Sequence, residues 1–318
     1  MLAGAAILVG SFLPSRMEFA NIAAAVLTIQ PRIVRLGFVG DMNFDRDVAK
    51  VIQEKGEGDY FFPLQKIADD LLQYDFLFGN LEGPVSDKGK NVGSIYSFRM
   101  NPLTLDALAR VGFKAVSVAN NHIGDWGANA MKDTFDRLNI ADIAAVGGGA
   151  NAEEAYGPRF LTVKGLRIAI LGESQFGKGY TEATASSSGI AIINIPKLQV
   201  AIQKARLEAD IVVASFHFGE EYEPEPNDFQ KKVAHVAIDA GADIVVGHHP
   251  HVLEPLEAYK TGYIVYSLGN FIFDQRFSSS TMTSALFEVI VTNKKITEVK
   301  LRPVAINTDL QPEFVETN

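Results

Sequence analysis

The residues able to do chemistry fall in five short clusters. In chain order these are Asp41-Met42-Asn43-Phe44-Asp45, Asn80-Leu81-Glu82-Gly83, Asn120-Asn121-His122, His217 with Glu220 and Glu221 behind it, and His248-His249-Pro250-His251. Their donor atoms are carboxylate oxygens, amide oxygens and imidazole nitrogens, a set suited to Zn, Mn or Fe. The 318 residues include no cysteine, which excludes a thiolate metal site, a disulfide framework and a cysteine nucleophile. His249 and His251 can both face one ion from an extended loop that Pro250 stiffens. On such a backbone His248 points the other way, and its role stays open between support and structure. One or two divalent cations held here would lower the pKa of a bound water and clamp developing oxyanion charge, as metal-dependent hydrolases require. Glu82 can bridge two ions, and Asn121 can bind through its amide oxygen. That leaves His122 free to donate a proton to a leaving group or to stabilise a phosphoryl oxygen.

Each cluster ends or follows an apolar run of strand length. The runs are RIVRLGFVG (32–40), DFLFGN (75–80), KAVSVAN (114–120), DIVVASFHF (210–218) and DIVVGHH (243–249), with RIAILG (167–172) and YIVYSLGN (263–270) as further strands. Most lack alternation, as strands buried on both faces of a parallel or mixed central sheet do. Ligands of open α/β sheets bind at the carboxyl ends of strands, so five strands bring polar groups to one edge. Between them Leu64, Ile67, Ala68, Leu71 and Leu72 follow a helical period. Asn101 and Pro102 predict the N-cap and first residue of a helix that Gly112 closes. Phe229, Val233, Val236, Ala237 and Ala240 form another stripe ended by Gly241, and His235, off that stripe, reads as a solvated helix residue. The stretch 284–306 predicts two strands joined at Asn293-Lys294-Lys295, an antiparallel pair at a sheet edge. The β-α-β-α order implies a layered α/β fold. Because Asp41 and His251 must share one site, residues 31–318 are expected to form one domain.

A formal charge of −9, from 29 Lys and Arg against 38 Asp and Glu, has the wrong sign for a nucleic-acid-binding protein. At 47% hydrophobic and 21% charged, the composition is that of a folded globular chain. Dinucleotide and P-loop fingerprints and a nucleophile elbow are absent, and Gly147-Gly148-Gly149 is too unspecific to be a phosphate loop. Trp126, within Gly124-Asp125-Trp126-Gly127, reads equally as a pocket wall or a helix cap. In Glu220–Pro226, otherwise a solvated loop, only the first Glu residues carry functional weight. Residues 1–30 hold two apolar runs, each shorter than the roughly 20 residues that span a bilayer as a helix. The first has the length of a signal-peptide core, and Ala23-Ala24-Ala25 offers small residues for cleavage, but no Lys or Arg precedes it. A signal or anchor segment is expected there, ahead of a domain that begins at Pro31.

The succession Gly40-Asp41, Gly79-Asn80-Leu81-Glu82, Asn120-Asn121-His122, His217-Phe218-Gly219-Glu220, Gly247-His248-His249-Pro250-His251 and Ser267-Leu268-Gly269-Asn270-Phe271 resembles the CapA-type capsule and poly-gamma-glutamate biosynthesis proteins. These belong to the calcineurin-like metallophosphoesterase superfamily, and the resemblance spans about residues 33 to 275. It implies an α/β four-layer α/β/β/α sandwich with a dimetal-type site between the sheets. On that pattern Asp41 is the first metal-binding Asp, Glu82 stands for the bridging Asp, and Asn121 is the Asn ligand beside a catalytic His122. His217 matches the lone His ligand, and His249 with His251 the terminal pair. Two positions depart from the superfamily: Asn43 replaces a His, and Glu82 an Asp.

The resemblance implies one or two divalent ions (Mn, Fe or Zn), a phosphoester or anionic envelope polymer as substrate, a membrane-bound polymer synthesis complex as partner, and a cell-envelope location. The competing function is a non-catalytic polymer-binding or assembly component of such a complex. A charge of −9 argues against an open groove that holds a polyanion without metal. A zinc amidohydrolase on a (β/α)₈ barrel would need eight regular βα units, which the terminal strand pair does not fit.

Overall fold

The computed structural model describes residues 32–315 except 178, so the expected signal or anchor segment at 1–30 lies outside the described residues. The strands are β1 (Ile33–Met42), β2 (Phe76–Leu81), β3 (Phe113–Ser117), β4 (Ala144–Val146), β5 (Gly148–Gly149), β6 (Arg159–Val163), β7 (Leu166–Ser174) and β8 (Gly189–Ile190). They continue with β9 (Ile211–His217), β10 (Ile244–His248), β11 (Leu256–Tyr259), β12 (Gly262–Val265), β13 (Asn270–Ile272), β14 (Thr283–Thr292), β15 (Lys295–Ile306) and β16 (Pro312–Phe314). The helices are α1 (Arg46–Glu54), α2 (Ala68–Leu71), α3 (Leu103–Arg110), α4 (Gly127–Ile140), α5 (Ala152–Tyr156), α6 (Ile195–Glu208) and α7 (Asp228–Ala240).

One sheet runs β16-β15-β14-β1-β2-β3-β4, with β13 also paired to β1; the other runs β11-β12-β10-β9-β7-β6. Four layers result because each sheet is apolar on both faces. Phe38, Phe76, Phe78 and Phe287 of the first meet Ile168, Ile170, Val213 and Val246 of the second. The outer face of the first sheet, with Leu77 and Val116, is covered by Ile52, Leu105, Leu108 and Leu138 from the helices. On the outer face of the second, Val212, Ala214 and Val245 pack against Leu198, Ile202, Val233 and Ala237. Burial on both sides explains the runs without alternation: β2, β9 and β10 are buried at every residue.

Several expectations change. The 64–72 period is satisfied by a 3₁₀ turn at Phe62–Leu64 and the single turn of α2, and Leu72 points to solvent. Pro102 itself takes the cap position of α3, while the side chain of Asn101 accepts from the Leu103 N–H at 2.9 Å. Run 263–270 is two strands in different sheets, β12 in the second and β13 in the first. The terminal hairpin turns through Asn293 and Lys294, both with positive φ, but β14 lies beside β1 and the edge of that sheet is β16. His235 is half-buried and partnered as well as solvated: it stacks on Tyr259 at 3.8 Å and lies 3.1 Å from both Glu257 oxygens. Trp126 sits at the cap position of α4, with the Arg99 guanidinium 3.6 Å over its ring.

Two glycines let the strand ends that carry the site approach each other. A Cβ on Gly40 would lie 1.9 Å from the Gly269 carbonyl oxygen, and one on Gly247 would lie 1.8 Å from that of Tyr266. The register of β1 shifts next to Asp41 against both β2 and β13, a bulge-type irregularity of the kind that re-aims a side chain.

Candidate metal centre

Strand register places the polar ends side by side. Asp41 pairs with Asn80 and Asn270 in the first sheet, and His217 pairs with His248 and Ser174 in the second. Across the two sheets His248 Nδ1 lies 3.5 Å from Asp41 Oδ1, so the centre sits where the carboxyl ends of both sheets converge. Asp41, Glu82 and His217 are fully buried, and His249 and His251 nearly so.

Asp41, Glu82 and His251 each offer a ligand atom within 4.8 Å of the others, the one such group among the described residues. His251 Nδ1 is 2.9 Å from Asn270 Oδ1 and 3.4 Å from Asp41 Oδ2, while its Nε2 is 3.6 Å from Glu82 Oε1. Asn270 donates its own amide protons to Gln275 and the Thr281 carbonyl, so its oxygen accepts from His251 Nδ1 and turns Nε2 toward the centre. Of the remaining predicted residues, His217 Nε2 is 2.8 Å from Asn121 Oδ1, and the His217 and His249 rings lie 4.8 Å apart. His122 also approaches Glu82, its Nε2 3.9 Å from Oε1. Asn43 is turned away to the backbone: Nδ2 donates to the Glu82 carbonyl at 2.8 Å and Oδ1 accepts from the Asp45 N–H.

Burial drives the electrostatics. Burial alone would raise the Asp41 carboxyl, but the imidazoles of His248 and His251 hold it well below the usual 3.8. Glu82 is pushed well above 4.5 by burial, opposed by His251 and reinforced by the Asp41 charge. His217 is driven down by burial and by His249, and His249 falls to about 3 by burial with His251 beside it. For His251 the order reverses: burial lowers it, yet the Glu82 and Asp41 carboxylates push it up to about 9.

Residues without a role in the sequence reading complete the site. Asp125 is buried and lies 2.8 Å from His122 Nδ1, while also accepting from the Phe98 N–H and the Ser94 hydroxyl. Its signal was the spacing of three from His122 within one turn. Asn80 touches Asp41, Glu82 and His217 together, and Asn120 donates to Asn80. Phe98 and Phe176 lie tilted against His122 and His249, ring centroids 4.2 Å apart in each pair.

The donors fit a divalent cation. Glu82 Oε1 is fully buried and has no hydrogen-bond partner, only the imidazole nitrogens of His251 and His122 at 3.6 and 3.9 Å, an arrangement a divalent cation beside it would satisfy better. The fold and this donor set define a calcineurin-like phosphoesterase architecture. Calcineurin-like phosphoesterase YfkN from Bacillus subtilis matches with a TM-score of 0.52 at 14% identity, over 89% of this chain and 93% of that one. Within that class, residues 35–275 match the family described as bacterial capsule synthesis protein PGA_cap, and the chain belongs to that family. It is 35% identical over 89% of its length to the PGA biosynthesis protein CapA of Bacillus subtilis, covering 74% of that protein. It is 37% identical over 79% of its length to the capsule biosynthesis protein CapA of Bacillus anthracis, of which it covers 62%.

Proposed function

We propose that this protein is a metal-dependent hydrolase of the phosphoesterase type that serves capsule or poly-gamma-glutamate synthesis at the cell envelope, on a phosphoester or an anionic polymer. The observation that carries the reading is the partnerless Glu82 Oε1, buried between His251 Nε2 and His122 Nε2. Asp41, Glu82, Asn121, His217, His249 and His251 would hold one or two ions of Mn, Fe or Zn. Such an ion supplies a Lewis acid and a water of lowered pKa.

The chain's own residues do the rest. Asp125 accepts a hydrogen bond from the Nδ1–H of His122 and aims its Nε2 at the space beside Glu82, where the doubly protonated imidazole would give its Nε2 proton to the departing oxygen. Asp41, kept ionised by His248 and His251, and Glu82 compensate the charge of the cation. The rings of Phe98, Phe176 and Phe273 against His122, His249 and His251 limit water around these groups.

The homologues named for capsule and PGA biosynthesis support an envelope role, and the partner this reading proposes is a membrane-bound polymer synthesis complex. No described helix is long and apolar enough to cross a membrane. The test is metal analysis of the purified protein beside hydrolysis of bis(p-nitrophenyl) phosphate and of poly-gamma-glutamate. Wild type, His122→Asn and the double substitution His249→Ala/His251→Ala are compared. Metal-dependent turnover that falls by about 100-fold or more in each variant is expected. A metal-free protein inert in both assays would sink the hydrolase reading, and turnover that survives the double substitution would sink the site.

A further inference from the structure

The donors of the centre divide unequally between two possible ions, and Asn80 enforces the division. Its Nδ2 lies 2.8 Å from Asp41 Oδ1, 3.2 Å from Glu82 Oε2 and 3.3 Å from His217 Nδ1, while its Oδ1 accepts from Asn120 at 3.1 Å. A primary amide has two protons, so both are committed within the ligand set. The contacts to the two carboxylates are shorter than that to His217 Nδ1, so each carboxylate turns one oxygen toward the Asn80 amide. The other two oxygens, Asp41 Oδ2 and Glu82 Oε1, are the ones that face His251, at 3.4 and 3.6 Å.

An ion at Asp41, Glu82 and His251 would meet two carboxylates and an imidazole already gathered within 4.8 Å. A second ion would have Asn121, His217 and His249, all neutral, and of these Asn121 Oδ1 and His217 Nε2 are bonded to each other at 2.8 Å. Its sole charged donor would be the second oxygen of Glu82, the one that Asn80 holds. Two dications so close repel strongly unless shared anionic oxygens screen them, and here the shared oxygen must first be taken from an amide.

We propose that this centre binds one divalent cation firmly, at Asp41, Glu82 and His251, and that Asn80 is the positioning residue that keeps a second from binding with comparable affinity. The inference rests on the metal reading of the site but not on turnover. The test titrates Mn²⁺ into the chelator-treated, desalted full chain by calorimetry, with metal per chain counted by mass spectrometry. Wild type should take up one equivalent, with any second at least about tenfold weaker.

Asn80→Asp replaces the amide donor with a carboxylate and should bring the second equivalent within about tenfold of the first. Asn80→Ser releases Glu82 Oε2 without adding charge and should move affinity the same way by less. Thermal melts of each metal-free variant establish that it folds. Two equivalents of like affinity in wild type overturn the proposal, as does a folded Asn80→Asp that still takes up only one. Wild type that binds no Mn²⁺ overturns the metal centre itself, a different result from either.

Discussion

Replacing Glu173 by Gln should remove a pH-dependent loss of stability from this fold. Glu173 is the second-last residue of β7 and only 2% exposed; its Oε2 accepts from the backbone N–H of Asn194, which caps α6, at 3.1 Å. Burial pushes its carboxyl up from 4.5 to about 8, against the opposing Asn194 bond and the charge of Lys197. The folded state thus keeps a proton that the unfolded chain gives up above pH 4.5. The stability contribution is complete below pH 4.5, falls as pH rises toward about 8, and is flat beyond. At about 1.4 kcal/mol per pH unit, the loss between pH 5 and pH 8.5 comes to about 4 kcal/mol. At about 2 °C or more per kcal/mol, that is roughly 8 °C in Tm. Gln keeps an oxygen for the Asn194 N–H and has no proton to lose. Melting both proteins at pH 5 and pH 8.5 in the same metal-free buffers isolates the effect, since groups common to both cancel in the difference. Glu173→Gln should match wild type within about 1 kcal/mol at pH 5 and exceed it by about 4 to 5 at pH 8.5. A Tm difference between the two proteins that is the same at both pH values would refute the reasoning.

Asp125→Asn leaves an oxygen for the Phe98 N–H but loses the carboxylate that orients His122; kcat should drop by about 100-fold or more with metal content unchanged. Unchanged kcat would dissolve the dyad. Phe38→Ala empties the space between the sheets where Phe38 meets Phe76, Phe78 and Phe287, at a cost of about 3 to 5 kcal/mol in urea unfolding. A loss under about 1 kcal/mol would mean that the layers do not pack there. Mn²⁺ at 1,000 times its Kd should add about 4 kcal/mol of stability, and chelation should remove it. A Tm indifferent to metal would contradict a preformed centre.

How much of this was legible depends on what each signal measures. Apolar runs without alternation report burial on both faces, and β2, β9 and β10 are such strands. The same signal cannot say which sheet a residue joins. Run 263–270 therefore reads as one strand, although the chain leaves β12, turns through Gly269 at φ +68° and enters β13 opposite Asp41. Apolar spacing was misleading at 64–72 because Leu64, Ile67, Ala68 and Leu71 can face the core from tight turns as well as from a helix. In the site, the titrating residues announced themselves by following strands. Asn80 and Asn270 also close such runs, but their roles stayed hidden, because what a neutral amide does between charged groups is identifiable only from its geometry. His235 misled for the opposite reason: its helix position faces Tyr259 and Glu257 of β11, a contact no helical period reveals.

The arrangement makes little sense as a device for stability. Two buried carboxylates among four buried imidazoles cost several kcal/mol per ion in desolvation, which an apolar cluster of equal volume would avoid. The burden is increased by backbone: His249 at φ +100° and His251 at φ +60° occupy left-handed conformations that cost of order 1–3 kcal/mol each in residues other than glycine. Within this one cluster Asp41 is pushed down, Glu82 up, His249 down and His251 up, so neighbouring groups are driven to opposite protonation states. A fold that only needed to bury these strand ends would relieve such opposition by substitution. It persists together with positive φ at both imidazoles of the loop. On the proposed reading, the desolvation of the carboxylates is what a bound cation facing Glu82 Oε1 would offset.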